Sequence, residues 1–256
     1  MTSVGDVAAR LRASGSVFAD EEAALLVGEA TTPAELEALV QRRLAGEPLE
    51  YVVGWAEFDG LRVKVTPGVF VPRRRTELLV RLAVERLPAD GTLVDVGCGS
   101  GAVAAALRAR LPGATVVATD IDPDAVACAR ANLPPGDVFL GDLFDALPAE
   151  LQGRVDVVTA NAPYVPTHRV ALMPREAREH EHLVALDGGG DGLVVQRPLI
   201  AAAPAWLAPG GWLLMETGRD FAERTADLMT TAGLDARIVL DDEVVSTAVA
   251  GRLPPR

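Results

Sequence analysis

The feature that most constrains the fold is a regular alternation of short apolar runs with amphipathic segments from about residue 76 onward. The apolar runs read GTLVDVG, ATVVATD, DVFL, RVDVVTA, GWLLMETG, ARIVL and EVVSTAVAG. Between them lie segments with helical spacing, which begin near residues 101 and 123 and extend across 191–207. Strands that alternate with helices form a mostly parallel sheet covered on both faces. Because no helix separates the last two runs, the pattern predicts a seven-stranded α/β sheet that ends in an antiparallel hairpin.

The residues before this alternation follow two other patterns. Apolar and charged positions recur at helical spacing from about residue 4 to 46, and Thr32-Pro33 is a typical helix cap and first-turn proline. Residues 51–72 alternate as strands do, with Asp59-Gly60 at the place of a hairpin turn. We therefore predict a small helical domain over 1–50, a β-hairpin linker over 51–75 and an α/β domain over 76–256.

Composition narrows the classes of function. The chain has 256 residues, of which 49% are hydrophobic, so it can fill a sizeable core without disulfides. Its two cysteines have no metal-type spacing, and the start lacks the pattern of a secretion signal or a membrane span. These features predict a cytoplasmic protein with no membrane association.

The formal net charge of −12 opposes any general affinity for nucleic acid. One local exception is the run Arg73, Arg74 and Arg75. This run is either a solvated surface turn or a contact point for an acidic or RNA-containing partner.

A glycine-rich loop follows the first strand of the predicted sheet. In LVDVGCGSGAVAAAL, Asp95, Gly97, Gly99 and Gly101 lie where a strand ends and a helix begins. Glycines at such a turn allow a ligand to approach backbone N–H groups. The next strand ends in Asp120, where an acidic side chain can accept hydrogen bonds from ribose hydroxyls.

The spacing within this loop selects among cofactors. It reads Gly-x-Gly-x-Gly, and not the Gly-x-Gly-x-x-Gly form expected for a dinucleotide. This difference favours S-adenosyl-L-methionine over NAD, since the former has no pyrophosphate. A nucleoside triphosphate loop is excluded, because its Lys-Ser/Thr pair is missing and Lys64 is the only lysine. Cys98, within the loop, is interpreted as a small packed side chain.

The stretch VVTANAPY places Asn161, Ala162, Pro163 and Tyr164 at the carboxyl end of another strand. One interpretation is structural, in which Asn161 bonds its own backbone and Pro163 ends the strand. The other is chemical. The Asn161 amide carbonyl and the backbone carbonyl of residue 162 are two acceptors for a planar NH₂ group, and Tyr164 offers a ring face and a hydroxyl. Since an amide nitrogen is a poor nucleophile, such alignment must supply much of the rate.

These motifs together resemble the bacterial protein-(glutamine amide) methyltransferases, which act on the Gly-Gly-Gln glutamine of peptide chain release factors or on a ribosomal protein. The resemblance extends over nearly the whole chain and includes GEPLEYVVGWAEFDGLRVKVTPGVFVPR, DVGCGSGAVA, ATDIDPDAVACARAN, NAPYVP, ALDGGGDGL and LAPGGWLLMETG. It implies a seven-stranded Rossmann-like class I methyltransferase domain that uses S-adenosyl-L-methionine. It also implies that the helical domain and the hairpin recognise the partner protein.

Site residues carry over from this resemblance position by position. The implied catalytic residues are Asn161 and Tyr164, and the implied glutamine contacts are Asn161, Ala162, Pro163 and Tyr164. The implied cofactor contacts are Asp95, Gly97, Cys98, Gly99, Ser100, Gly101, Asp120, Leu143 and Asn161.

Four departures from the family pattern concern the substrate entrance and the adenine pocket. Ala162 replaces the first proline of the Asn-Pro-Pro-Tyr signature but keeps its backbone carbonyl. The family's PRPETE reads PRRRTE here, which introduces Arg74 and Arg75. HEHL at 180–183 replaces a Glu-Pro pair, and Leu143 stands where an aromatic residue is frequent.

Two other functions remain open at this stage. One is methylation of an exocyclic amine in nucleic acid, which also presents a planar NH₂; the acidic net charge weighs against it. The other is a non-catalytic module that binds the cofactor or a translation protein. We predict no metal site, because adjacent side chains in His180-Glu181-His182 point to opposite sides of a strand or lie far apart on a helix, and the sequence shows no third ligand for these residues or for His168.

Overall fold

The structure, a computed structural model, describes residues 3–255. Residues 1, 2 and 256 of the predicted domains lie outside this description. The helices are α1 Val4–Ala13, α2 Ala19–Glu29, α3 Pro33–Leu44, α4 Leu49–Val53, α5 Glu77–Val84, α6 Ala102–Arg110, α7 Pro123–Ala129, α8 Thr167–Val170, α9 Arg175–His180, α10 Gln196–Trp206 and α11 Ala222–Thr231. The strands are β1 Trp55–Phe58, β2 Leu61–Lys64, β3 Thr92–Val96, β4 Thr115–Asp120, β5 Val138–Leu140, β6 Val155–Ala160, β7 Leu207–Glu216, β8 Asp235–Asp241 and β9 Ser246–Arg252.

Helices α1 to α4 form a small unit with its own apolar core. Ser3 caps α1 through a capping box with Asp6, and the Thr32 side chain accepts from the backbone N–H of Glu35 at the start of α3. The predicted cap at Thr32-Pro33 is therefore confirmed. The core is made of buried aliphatic side chains, which include Leu11 and Leu26.

Strands β1 and β2 form the predicted antiparallel hairpin. Asp59 and Gly60 both have positive φ angles, 51° and 77°, as a two-residue hairpin turn requires. The hairpin is fixed to the α/β domain by Asn132. Its side chain accepts from the Lys64 N–H at 2.8 Å and donates to the carbonyls of Lys64 and Ser100, each at 2.9 Å.

The main sheet has seven strands in the order β5-β4-β3-β6-β7-β9-β8, with β9 antiparallel to both of its neighbours. This confirms the predicted α/β class and the closing hairpin. From β3 the chain extends outward to β4 and β5 and then returns to β6 on the other side of β3. The order of strands thus reverses between β3 and β6, whose carboxyl ends are the expected place for a ligand.

Alternate residues of the strands face opposite layers of helices. Leu93 packs in the layer with α5 and α6, whereas Val94 packs in the layer with α10 and α11. Both layers are dominated by buried aliphatic side chains. In the part of the chain that the structure describes, no helix has the length and apolar character needed to cross a membrane.

Three element boundaries differ from the sequence prediction. Residues 51–53, predicted as part of a strand-like linker, belong to α4, which is capped by Gly54 with a φ of 82°, and the hairpin strands end at Lys64. The helix predicted over 191–207 begins only at Gln196, because the Asp191 side chain accepts from the Leu193 N–H and holds the preceding residues in a turn. The last strand begins at Ser246 rather than near residue 243. Val245, just before it, has a φ of 51° and belongs to the turn between β8 and β9.

Candidate active site

A cavity of about 240 Å³ opens at the carboxyl ends of β3, β4 and β6. Its floor comes from the glycine loop after β3 and from Asp120, and one wall is Asn161–Tyr164. The linker contributes Phe70 and Pro72. The segment 172–187, between α8 and β7, covers the remaining side with Met173 and Val184–Leu186. The cavity therefore lies where the order of strands reverses, between β3 and β6.

The glycine loop leaves space for a ligand against its backbone. Gly97 and Gly99 have φ angles of 68° and 55°, and a Cβ at either position would have no atom within 4 Å. The N–H groups of Gly97 and Cys98 both donate to the Thr119 carbonyl. Gly101 differs, because its Cβ would meet Leu133 at 3.0 Å and because Gly101 is not among the residues that line the cavity. The structure thus gives Gly101 a packing reason, and its cofactor contact stays a prediction.

Asp95 and Asp120 are two of the four aspartates that line the cavity, and burial disfavours the charged form of both. Asp95 is buried, accepts from the Thr159 hydroxyl at 2.8 Å and has a second oxygen without a hydrogen-bond partner among residues 3–255. Burial raises its pKa to about 7. Burial also raises the pKa of Asp120, whose oxygens accept from the N–H groups of Gly99 at 2.8 Å and Asp122 at 2.9 Å. Asp120 therefore fixes the loop as well as facing the ligand space.

The Asn161 amide is oriented by Thr76. Its Nδ2 donates to the buried Thr76 hydroxyl at 3.3 Å, and its Oδ1 accepts no hydrogen bond within the described range. The Ala162 carbonyl also accepts none there, and Ala162 itself is buried. These are the two free acceptors that the NH₂ hypothesis requires at neighbouring positions. Sequence reasoning missed the role of Thr76, although it lies within the PRRRTE run.

Two glycines support the backbone of this wall. A Cβ at Gly188 would lie 2.9 Å from the Pro163 carbonyl oxygen, and one at Gly192 would lie 2.6 Å from that of Tyr164. The Gly188 N–H donates to the Val165 carbonyl at 2.8 Å. The ALDGGGDGL stretch is thus glycine-rich because its backbone packs directly on the residues of the candidate site.

The Tyr164 hydroxyl points away from the ring face and towards two charged groups. It lies 3.3 Å from Glu216 Oε1, which also accepts from Arg75 Nε at 3.0 Å. Burial and the neighbouring Glu216 raise the pKa of Tyr164 to about 12, so the phenol stays protonated and donates. Of the two groups predicted to hold a substrate, the ring faces the cavity and the hydroxyl anchors the ring.

The covering segment is held by a glutamate and a histidine. The buried Glu181 carboxylate accepts from Arg73 and from the Val71 N–H. His182 Nδ1 lies 2.6 Å from Asp122 Oδ2, and the His182 N–H donates to the Gly68 carbonyl at 2.8 Å. Gly68 must be glycine, because a Cβ there would lie 2.3 Å from the His182 ring.

One of the three histidines, His182, lies beside two acidic side chains. Asp122 and Asp124 lie near His182, an arrangement that the sequence did not indicate, while His168 and His180 are not part of this group. The hydrogen bond that His182 Nδ1 donates to Asp122 already accounts for the orientation of the His182 ring. Burial raises the pKa of the Cys98 thiol, which keeps it protonated and agrees with a packed side chain rather than a nucleophile.

The arginine run divides into paired and unpaired members. Arg73 pairs with Glu181 and Arg75 pairs with Glu216, both across to buried carboxylates. Arg74 is exposed and makes no ion pair with any residue in 3–255. The interpretation as a wholly solvated turn is therefore wrong for two of the three residues. The sequence alone lacked the signal, because Glu181 and Glu216 lie more than 100 residues away.

The remaining predicted site residues converge on the one cavity. Its lining contains Asp95, Gly97, Cys98, Gly99, Ser100, Asp120, Leu143, Asn161, Ala162, Pro163 and Tyr164. Leu143 has a φ of 48°, an uncommon conformation for a leucine, and presents an apolar side chain. The lining of this cavity fits S-adenosyl-L-methionine. The open glycine cradle has room for the ribose, the unpartnered Asp95 oxygen suits the charged part, and the apolar Leu143 suits the adenine.

Comparisons with known proteins agree with this site. The sequence profile of the family described as "Methyltransferase small domain" matches residues 60–199. The crystal structure of a methyltransferase from Pyrococcus furiosus has the same fold, with a TM-score of 0.57 over 76% of this chain and 90% of that chain at 15% identity. The sheet and the site thus define a methyltransferase that depends on S-adenosyl-L-methionine.

Sequence relatives are more specific. A release factor glutamine methyltransferase from Geobacter sulfurreducens is 40% identical over 86% of this chain and 80% of the relative. One from Bradyrhizobium diazoefficiens is 35% identical over 97% of this chain and 93% of the relative. The chain belongs to the release factor glutamine methyltransferase family.

Proposed function

We propose that this protein transfers the methyl group of S-adenosyl-L-methionine to the side-chain amide nitrogen of a protein glutamine, that of the Gly-Gly-Gln motif in peptide chain release factors. The observation that carries the proposal is the pair of free acceptors at Asn161 Oδ1 and the Ala162 carbonyl. Both belong to the wall of the cavity that holds the glycine cradle. Membership of the family supports the choice of substrate.

The chain's own contribution to the reaction is orientation. Each of the two acceptors takes one N–H of the glutamine amide, which turns the nitrogen lone pair towards the methyl donor. The cofactor supplies an electrophilic methyl group on a sulfonium centre. Thr76 holds the Asn161 amide so that its oxygen, and not its NH₂, faces the substrate. No strong base is needed before attack, because the proton leaves after the nitrogen has become cationic.

Tyr164 and the loop acids complete the site. The Tyr164 ring holds the plane of the substrate amide and borders the space in which positive charge moves from sulfur to nitrogen. In the proposed cofactor site, the loop residues Gly97 to Ser100 line one side. Asp120 accepts from ribose hydroxyls, and Leu143 packs beside adenine. Asp95, once ionised, favours a cation in the same cavity.

The N-terminal unit is proposed to recognise the protein substrate, with residues 1–50 and the linker 51–75 acting together. A direct contact links this unit to the cover of the cavity: Arg43 of α3 pairs with Glu22 of α2 and with Glu176 of α9 at 2.9 Å and 2.7 Å. A protein that binds to the helices would thereby be linked, through Arg43 and Glu176, to the segment 172–187 that covers the cavity. The acidic net charge opposes general binding to nucleic acid and supports a protein partner, and we propose that the two proteins meet in the cytoplasm.

The test is a transfer assay with methyl-labelled S-adenosyl-L-methionine and, in separate reactions, a release factor, ribosomal proteins, RNA and DNA. We expect label on the release factor. Label on a ribosomal protein alone would mean that the reaction is the same but that the substrate is a different protein. Label on RNA or DNA alone would overturn the proposal. Cofactor binding without transfer to any of these would identify a non-catalytic module.

A further inference from the structure

Arg75 lies between the catalytic cavity and a second cavity of about 220 Å³. Arg75 and Tyr164 line both cavities, whereas Glu216 and the turn between β8 and β9 line only the second. The Arg75 side chain is 45% exposed, but the Glu216 side chain that it contacts is only 2% exposed. The contact therefore connects the mouth of the catalytic cavity to a buried charge at the end of β7.

Glu216 has one partnered oxygen and one unpartnered oxygen. Oε1 takes the bonds from Arg75 Nε at 3.0 Å and from the Tyr164 hydroxyl at 3.3 Å, and Oε2 has no partner among the described residues. A carboxylate buried with so few donors is unfavourable unless a cation stands beside it. Arg75 is the cation that the structure places there.

The three side chains form a short chain of contacts that ends at the catalytic wall. Arg75 fixes the Glu216 carboxylate, the carboxylate accepts from the Tyr164 hydroxyl, and the hydroxyl sets the tilt of the ring. The Tyr164 hydroxyl already donates to Glu216, so the ring is the part of Tyr164 that we assign to the substrate amide. A change at Arg75 must then reach the substrate through Tyr164.

We propose that Arg75 is a positioning residue for methyl transfer, which acts with Glu216 to hold the Tyr164 ring in the orientation that the glutamine amide requires. Arg75 touches neither reacting atom and is not a catalytic residue. The role in turnover rests on the proposed function, whereas the contact with Tyr164 does not. The Arg-Glu-Tyr group thus differs from Arg73-Glu181, which holds the covering segment.

A double-mutant cycle with Arg75→Gln and Tyr164→Phe tests the proposal on the full-length protein. We expect each single variant to lower kcat for release factor methylation about tenfold. The double variant should also be about tenfold slower than wild type and no slower than either single variant, because both changes remove the same chain of contacts. KM for the protein substrate and Kd for the cofactor should stay within about twofold of wild type.

The matched control for turnover is Arg154→Ala, which removes an exposed arginine that lies outside the linker and lines neither cavity. It should leave kcat unchanged. Arg75→Ala leaves Glu216 without its cation and serves as a second variant. Thermal unfolding of every variant shows whether a loss of rate reflects loss of fold.

A second readout needs no substrate. The chain has two tyrosines, so a protein labelled with ¹³C at tyrosine Cζ gives two signals, and Tyr164→Phe assigns them. Arg75→Gln and Glu216→Gln should each move the Tyr164 signal, and Arg74→Ala should not. An unmoved Tyr164 signal in both variants would overturn the proposal.

The kinetic outcomes separate the two proposals. Losses that multiply to about a hundredfold in the double variant, or a loss confined to KM, would overturn the positioning role while leaving the transferase function intact. If the wild-type protein methylates no release factor glutamine, the proposed function fails instead. The tyrosine signals then still decide whether Arg75 positions Tyr164.

Discussion

Glu37 in the N-terminal helices and Asp95 and Asp120 in the cavity are carboxylic acids with opposite pKa shifts. In α3, hydrogen bonds from Arg10 and Gln41 lower the pKa of Glu37 to about 2. In the cavity, burial raises the pKa of Asp95 to about 7 and that of Asp120 above its usual range. Glu37 is exposed and paired with Arg10, whereas Asp95 and Asp120 have no basic partner among residues 3–255.

The two regions differ in how their carboxylates affect the stability of the fold. An exposed ion pair contributes little to folding but also costs little, because both partners remain hydrated. A buried carboxylate without a cation is unfavourable for folding and is typical of a functional site. A cationic cofactor in the cavity would supply the missing counter-charge. Variants in the two regions should therefore differ in both the size and the kind of their effects.

The largest effect is expected for Asn161→Ala. Loss of one of the two acceptors should lower turnover by roughly 100- to 1000-fold, because orientation supplies most of the rate. Cofactor affinity should change little. Single-turnover kinetics and cofactor titration measure the two quantities on the same preparation. Retained turnover would show that Asn161 does not align the substrate.

Asp120→Ala comes next. The cofactor Kd should rise about 10- to 100-fold, because the variant loses both the ribose acceptor and the bond that fixes the Gly99 N–H. Asp124→Ala is the matched control, since this acid lies four residues away with an exposed side chain. Isothermal titration compares the two. Equal affinities would remove Asp120 from the proposed cofactor site.

Asp95 should give the protein a characteristic pH dependence. Its folded-state pKa is about 7 and its usual value is 3.8, so between these values the folded state holds a proton that the unfolded state has lost. The stability due to Asp95 is present below pH 3.8 and is lost as pH rises to about 7, at about 1.4 kcal/mol per pH unit. Urea unfolding of wild type and Asp95→Asn from pH 5 to 8 measures this. A difference between the two proteins that does not change from pH 5 to 7 would contradict it.

His182 should produce a smaller, local effect. The hydrogen bond to Asp122 raises its pKa above 6.5, so its contribution is present below that value and is lost as pH rises through the raised pKa. Hydrogen exchange of residues 181–186 should accelerate at high pH beyond the intrinsic rate increase. His182→Ala should abolish this extra term and the exposed His168→Ala should keep it. Identical profiles in the two variants would show that His182 does not hold the covering segment.

The smallest effect is expected for Glu37→Gln. Its ion pair with Arg10 is exposed, so the melting temperature should change little and the change should shrink further in high salt. Cofactor affinity should match wild type. A large loss of stability in Glu37→Gln would contradict the view that the exposed ion pair contributes little to folding.

The sequence predicted the fold and the location of the site well, because both depend on local signals. Periodicity gave the seven strands, and the polar ends of β3, β4 and β6 meet at one edge of the sheet in any parallel arrangement. Asp59-Gly60 and Thr32-Pro33 were readable because turns and caps are set by the residues that form them.

Long-range pairs were not predictable from one chain. Thr76 contacts Asn161 across 85 positions, and Arg75 contacts Glu216 across 141. Neither pair has a periodic or short-range signature. The helix start at Gln196 was missed for a different reason, since the Asp191 turn competes with helix formation over a few residues.

In the proposed reaction, the wall formed by Asn161 to Tyr164 presents a release factor glutamine to the methyl donor. Peptide mapping by mass spectrometry of a release factor incubated with the cofactor and either wild type or Asn161→Ala tests it most directly. We predict a single methyl group on the glutamine of the Gly-Gly-Gln motif with wild type, and almost none with the variant. A methyl group on another residue, or equal modification by both proteins, would contradict the account.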